Sequence, residues 1–222
     1  MDVFEAVDSR RSARDFLNKP VPGDLLDELL KAAVRAPSGG NLQPWHIHVV
    51  RGESLDKLNA LMRNKIRSGQ PAEAVEYDIY PPNLKSPYRD RRFQVGEALY
   101  SQLKIPREDK AARREWFLRN FEFFGAPVGL FFTIDRSMGA PQWSDLGMIM
   151  QTLMFLARAR GLDSCAQECW ALYPESIGRF LELPESQMLF AGMAIGYANN
   201  ENPVNQLRTD RAPFEDVLKF HN

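Results

Sequence analysis

The stretch "APSGGNLQPW", residues 36–45, decides the fold by what stands on either side of it. Before it, "DLLDELLKAAVRA" (24–36) lays Leu25, Leu26, Leu29, Leu30, Ala33 and Val34 along one stripe of a helix. Asp24 is placed to cap that helix after the turn "PVPG". Behind it, "WHIHVV" (45–50) has the composition of a strand. The order is therefore helix, glycine loop, strand. A Walker loop needs a Lys-Ser/Thr pair that is absent here. A dinucleotide fingerprint follows a strand and opens a helix, the reverse of this order. What remains is a loop whose glycines let a ligand approach the backbone, with Ser38, Asn41 and Gln43 offering mixed donors and acceptors. A flat ring with a mixed polar edge suits such a surface. The plainer alternative, a turn whose glycines only set backbone angles, stays open.

Outward from this loop the elements alternate. "SLDKLNALMRNKI" (54–66) is helical, with Leu55, Leu58, Leu61 and Met62 in phase. Residues 68–92 lose all period and are rich in Pro, Tyr and charge. A long irregular stretch of this kind reads as a lid, and its tyrosines argue against disorder. A helix is expected over 108–124 up to "GAP", a buried strand over 128–135, and a central helix over 142–161 closed by Gly161. "LDSCAQECW" (162–170) reads as an extended connection, "PESIGRFLEL" (174–183) as a short helix and "MLFAGMAIGY" (188–197) as a strand. Strands spaced by helices give an α/β or α+β class, with one small sheet wrapped by helices.

At 222 residues the chain is expected to form a single domain, 1–222, with the lid-like insertion around 68–92. The balance of 28 basic and 29 acidic residues argues against nucleic acid or an acidic membrane as partner. Two cysteines without a disulfide framework, and no apolar leader or bilayer-length run, suggest a cytoplasmic setting.

Two further clusters bear on chemistry. "SRRSARDF" (9–16) packs Arg10, Arg11, Ser12 and Arg14 into five positions, and "LRTDRAPF" adds Arg208 and Arg211. Guanidinium forks match phosphate oxygens. If the two chain ends meet they form a phosphate clamp; otherwise each is a solvated basic face paired with Asp8, Asp15 or Asp210. "CAQECW" (165–170) has Cys-x-x-x-Cys spacing, which is not that of a zinc knuckle, so no metal is expected. No G-x-S-x-G or other hydrolytic constellation is evident. Without a side chain that stands out as the chemical actor, a bound cofactor is the expected one.

"RRSARDF", "APSGGNLQPWHIHVV", "GLDSCAQECW" and "LRTDRAPFEDV", in this order over nearly the whole chain, resemble the FMN-dependent nitroreductase superfamily. "PYRDRR", "FFGAP", "QWSDLGM" and "AQECW" bring the resemblance closer to its nitrobenzoate-reductase-like branch. It implies an α+β fold with a small, mostly antiparallel sheet, and a homodimer of domain-swapped type with FMN at the subunit interface. It also implies that hydride from NAD(P)H passes through flavin N5 to a small aromatic substrate, by ping-pong. On this resemblance Arg10, Arg11, Ser12 and Arg14 hold the FMN phosphate and ribityl chain, with Arg14 reaching the ring. Pro37, Ser38, Gly39, Gly40, Asn41 and Gln43 line the ring and its chain. Glu168 and Cys169 fall in the segment facing N5, where Ala166 and Cys169 depart from the family's usual Pro and Gly. Arg208 and Arg211 complete the clamp. Tyr77, Tyr80, Tyr88 and Arg89 are candidates to meet the substrate, and no side chain is expected to be catalytic. The competing expectations are another acceptor (quinone, enone or halophenol) and a non-catalytic FMN-binding protein.

Overall fold

Strand β2 (Val128–Asp135) is buried along almost its whole length, which requires neighbours on both edges and both faces. Its edges are taken by β1 (Trp45–Arg51) and β4 (Gln187–Gly196), and β4 is flanked in turn by β3 (Asp163–Gln167). All pairings are antiparallel, in the order β1-β2-β4-β3. The computed structural model describes residues 1–68 and 73–221.

The two faces of the sheet are covered by different helices. Val128, Leu130 and Phe132 point to one side, onto α2 (Gly23–Ala33) and α6 (Ala140–Ala159) through Leu26, Leu29, Ile149 and Leu153. Phe131 points to the other, onto α3 (Glu53–Arg67) and α7 (Pro174–Phe180) through Leu58, Met62 and Ile177. This is the alternation a strand buried on both faces must have. The α+β class follows, with α1 (Val3–Ser9), α4 (Tyr88–Gln102), α5 (Lys110–Leu118) and the short α8 (Phe214–Val217) around these layers.

Several boundaries differ from those expected. The first long helix starts at Gly23 and is capped by the Pro22 backbone position, with no side-chain cap from Asp24. The irregular stretch ends at Tyr88, where α4 begins, so Tyr88 to Arg92 are helical. The helix expected over 108–124 stops at Leu118 and continues as tight 3-10 turns through Gly125. There Phe123 and Phe124 adopt left-handed backbone angles, φ 48° and 55°, which bulky residues rarely do. The bend turns Phe121, Phe123 and Phe124 all inward, and burying three phenyl rings outweighs continuing one helix. The "extended connection" contains β3, whose free edge matters below.

Two strand glycines make room for this aromatic packing. A Cβ on Gly129 would lie 2.3 Å from the Phe123 ring, and one on Gly192 would lie 2.3 Å from Trp170. Trp170 in turn meets Phe121, Phe123 and Phe131 at centroid distances of 5.3, 4.6 and 5.0 Å. Gly192→Ala should therefore destabilise the protein by about 1–3 kcal/mol, as overpacking does. A denaturant midpoint equal to that of the parent would refute the close-packed account.

Candidate functional site

Residues 10–16 leave α1 in extended form and run along the free edge of β3. Ser12 bridges Ser164 in parallel, and the Ala13 N–H donates to the Ser164 carbonyl at 3.0 Å. An edge strand offers unpaired backbone groups, and this segment takes them up. The chain's far end is fastened to the same segment by Asn205, which is 1% exposed. Its Oδ1 accepts the Arg14 N–H at 2.8 Å, and its Nδ2 donates to the carbonyls of Asp15 and Asn199 at 2.7 and 2.9 Å. Arg11 donates to the Asn200 side chain as well.

The two arginine clusters thus meet. Arg10, Arg11, Ser12, Arg14, Arg208 and Arg211 line one cavity of about 850 Å³, with Gln151 and Phe155 of α6 beside them. None of these five arginines forms an ion pair with a carboxylate among the described residues. Asp15, once a candidate partner, pairs with Arg119 at 2.7 Å. Arg208 and Arg211 donate only to carbonyl and hydroxyl oxygens of their own tail. Burial lowers the Arg10 guanidinium from its ordinary value, and the charge of Arg211 lowers it further. Burial lowers Arg11 too; Asp163 works against this, while Arg208 and Arg158 add to it. Arg11 Nε is buried without an acceptor. Crowded like charges with an unused donor make a site for an anion with several oxygens.

The glycine loop lies elsewhere on the chain. Residues 39–41 form a single 3-10 turn, and Gly40, Asn41 and Gln43 all have left-handed φ, 56°, 56° and 50°. Ser38 Oγ accepts the Gln43 N–H at 2.9 Å, and Gln43 Nε2 donates to the Asn41 carbonyl at 3.1 Å. Pro37, Gly39, Gly40, Asn41 and Gln43 are exposed, and nothing stands within 4 Å of where a Cβ on Gly39 or Gly40 would sit. The loop does not line the arginine cavity. It is tied to the body by Asp145 of α6, whose Oδ1 accepts the Gly39 N–H at 3.1 Å.

Glu168 and Cys169 open the tight turn that follows β3. Burial pushes the Cys169 thiol far up, which removes it as a nucleophile. Desolvation also raises the Glu168 carboxyl, although its side chain keeps an exposed edge. His48 hydrogen-bonds Thr133 at 3.2 Å, and burial followed by the neighbouring His46 lowers its pKa.

Of the expected lid, residues 69–72 lie outside the described residues. Residues 73–77 are strapped to the body. Glu73 accepts from Lys65 Nζ at 2.7 Å and from the backbone N–H groups of Glu175 and Ser176 at the start of α7, at 2.8 and 3.1 Å. Glu76 pairs with Arg136 at 2.6 Å. Tyr77 donates to the Phe190 carbonyl and packs against Phe190 and Trp143, with centroids 5.9 and 5.3 Å away. Burial raises the Tyr77 hydroxyl, helped by Glu168 and Cys169, so the strap sits beside that turn. Tyr77 is therefore engaged in packing. Tyr80 lies under Arg92 at 3.9 Å, Tyr88 is exposed, and Arg89 pairs with Asp90 at 2.8 Å. Tyr80, Tyr88 and Arg89 thus lie at the first turns of α4 or against them, while Tyr77 packs on β4 and α6. Asn205 carried no motif, and Asp145, although inside "QWSDLGM", was assigned no role; a buried carboxamide or carboxylate far along the chain from its partner leaves no local pattern of its bond.

Fold and site together define an α+β protein with an antiparallel four-stranded sheet and an arginine-lined cavity at the edge of β3. The Nitroreductase family model matches residues 7–197, and the chain belongs to that family. It is 42% identical over 220 residues to the 4-nitrobenzoate reductase of Pseudomonas putida, spanning 99% of this chain and 96% of that one. It is 36% identical to the nitrobenzene nitroreductase of Ectopseudomonas oleovorans, over 98% and 96% of the two chains. The crystal structure of the FMN and NADPH-dependent nitroreductase NfnB from Sphigopyxis sp. strain HMH superposes with a TM-score of 0.97, covering 100% of each chain at 45% identity.

Two outcomes test these contacts. Inorganic phosphate should raise the melting temperature well beyond chloride at matched ionic strength, and Arg10→Ala should weaken that phosphate binding about tenfold, the worth of one charge-assisted hydrogen bond. Equal effects of phosphate and chloride would remove the clamp. For Glu73, burial alone would raise the carboxyl, but the bonds from Lys65 and Ser176 outweigh it and the net shift is down from 4.5. A depressed folded pKa gives stability that is present above the unfolded value and lost as pH falls through the folded one. Glu73→Gln should thus lower stability at pH 7 and flatten the loss below about pH 4.5; parallel pH–stability curves would refute it.

Proposed function

We propose that the chain is an FMN-dependent NAD(P)H oxidoreductase that reduces nitroaromatic compounds of the nitrobenzoate kind. The observation that carries this reading is the cavity of five carboxylate-free arginines with an unused Arg11 donor, in a chain so close to NfnB and to a 4-nitrobenzoate reductase. Its donor set fits the phosphate of a flavin mononucleotide: Arg10, Arg11, Arg208 and Arg211 offer forked donors, Ser12 a hydroxyl, and Arg14 a cation one step further along the segment. When bound, FMN would supply two-electron chemistry between a nicotinamide and the nitro group. The chain's own part is to bind, to orient and to exclude water. Burial disfavours the charged forms of Glu168 and Cys169 on that side of the site. No side chain is assigned a catalytic role.

The unit that works is a homodimer on this reading. The glycine loop and the arginine cavity are separate within one chain, so a second copy is needed to bring a loop over a cavity. Phe4 of α1 and Phe214, Val217 and Phe220 of the tail are exposed, and α4 buries none of its residues, which supports extensive apolar surfaces awaiting a partner. Residues 73–77 serve as a fixed wall, held by Glu73, Glu76 and Tyr77, and the whole chain as one domain in a reducing cytoplasm. A small aromatic substrate would enter the slot between the copies, where Tyr80, Tyr88 and Arg89 stay candidates to meet it.

The purified protein should be yellow, take up FMN stoichiometrically, and lose that colour anaerobically with NADPH or NADH. The colour should return on adding 4-nitrobenzoate. A flavin that neither nicotinamide bleaches would favour mere FMN binding, and faster reoxidation by a quinone or halophenol would move the assignment to that acceptor.

A further inference from the structure

Asp145 is a buried carboxylate with half of its capacity in use. It is 2% exposed, Oδ1 accepts the Gly39 N–H, and Oδ2 is buried without a donor. Leaving a carboxylate oxygen buried and unpaired is costly, so the position must return something for it. The loop shows what. Its own hydrogen bonds are internal: Asn41 N–H to the Ser38 carbonyl, Leu42 N–H to the Gly39 carbonyl, Gln43 N–H to Ser38 Oγ and Gln43 Nε2 to the Asn41 carbonyl. Among the described residues, Asp145 makes the one hydrogen bond that joins residues 37–43 to the rest of the chain. Nothing packs above Gly39 or Gly40, and the turn holds three residues at left-handed angles. Such a loop has many alternatives once untied, and an ordered, exposed turn needs an external anchor.

We infer that Asp145 is a positioning residue for the cofactor: it fixes the Gly39–Asn41 turn in its binding geometry before the cofactor arrives. This rests on the FMN reading above. Its effect on affinity is preorganisation, because a loop already held in place loses less freedom on binding. Charge strengthens the bond, since a carboxylate is a better acceptor for the Gly39 N–H than a neutral group.

The local backbone allows the tether to be cut from either side. Asp145→Leu removes the acceptor and leaves an apolar side chain in a buried place; Asp145→Asn keeps an acceptor of the same shape. Gly39→Pro removes the donor instead. Ser38 is extended (φ −147°, ψ 151°), as a residue before proline must be, and Gly39 is the first residue of the turn, where proline is tolerated.

Affinity for FMN is read by quenching of flavin fluorescence, and phosphate-induced thermal stabilisation is read in parallel as a gauge of the intact arginine cavity. Asp145→Leu and Gly39→Pro should each weaken FMN about tenfold, and the double variant no more than either alone. Asp145→Asn should stay within about threefold of the parent. Phosphate stabilisation should be preserved in all of them. FMN affinity unchanged in Asp145→Leu overturns the assignment, as do additive losses in the double variant, which would mean independent effects. An Asn variant as weak as the Leu variant overturns it in favour of charge alone. Loss of phosphate stabilisation along with FMN binding overturns it in favour of general unfolding. A parent protein that binds phosphate but not FMN overturns the cofactor reading itself, and this inference with it.

Discussion

Five guanidinium groups around one cavity, none of them in an ion pair among the described residues although Asp8 also lines the wall, are the constraint to which the rest of the structure answers. Like charges at this spacing repel, and burial adds a desolvation cost to Arg10 and Arg11. Left to itself such a cluster would scatter into solvent. It is held because its backbone is not free: Ser12 is fixed to β3, and Asn205 bonds three backbone groups of the segments it joins. A neutral carboxamide does this without quenching the charge.

The same edge of β3 explains the arrangement of the aromatic core. β3 continues at once into the tight turn carrying Glu168, Cys169 and Trp170. Trp170 is fully buried against Gly192 of β4, so the turn is pinned from beneath by its largest side chain. The strap 73–77 approaches the turn from the side, with Tyr77 between Phe190 and Trp143. Core packing and the candidate site are thus not separate layers: the residues that pack Trp170 also set where Glu168 and Cys169 stand.

Much of this was legible in the chain. The helical stripe before the glycine loop announces itself by period, and the strand after it, β2 and the long α6 by their apolar composition. The arginine clusters do so by residue type. The failures share a physical cause. The helix expected through residue 124 gives way because three phenylalanines gain more from the sheet than from helical continuity, a tertiary effect no local window contains. The start of α4 at Tyr88 was hidden because that helix buries none of its residues and so has no apolar stripe to reveal it. Asp24 does not cap its helix, since the chain enters the first turn two residues sooner. Tyr77 looked like a free aromatic in an irregular segment; its hydroxyl and ring are both engaged by β4 and α6. The tethering roles of Asp145 and Asn205 left no sequence signal because each acts on a backbone N–H more than a hundred residues away.

The division of labour that results has a physical logic. On the FMN reading, the fully charged phosphate would meet fully charged side chains, from two chain ends brought to one sheet edge. The flat ring, with little charge and much edge, would on the same reading meet a backbone turn with nothing within 4 Å above Gly39 and Gly40. Side chains long enough to follow a ligand would be poor at this, because every rotamer they lose on binding counts against affinity. A glycine turn has no such rotamers, but it has the opposite weakness, too many backbone states. One buried carboxylate on a rigid helix corrects that weakness at a single N–H. It does so from behind the turn, so that the face above Gly39 and Gly40 stays open.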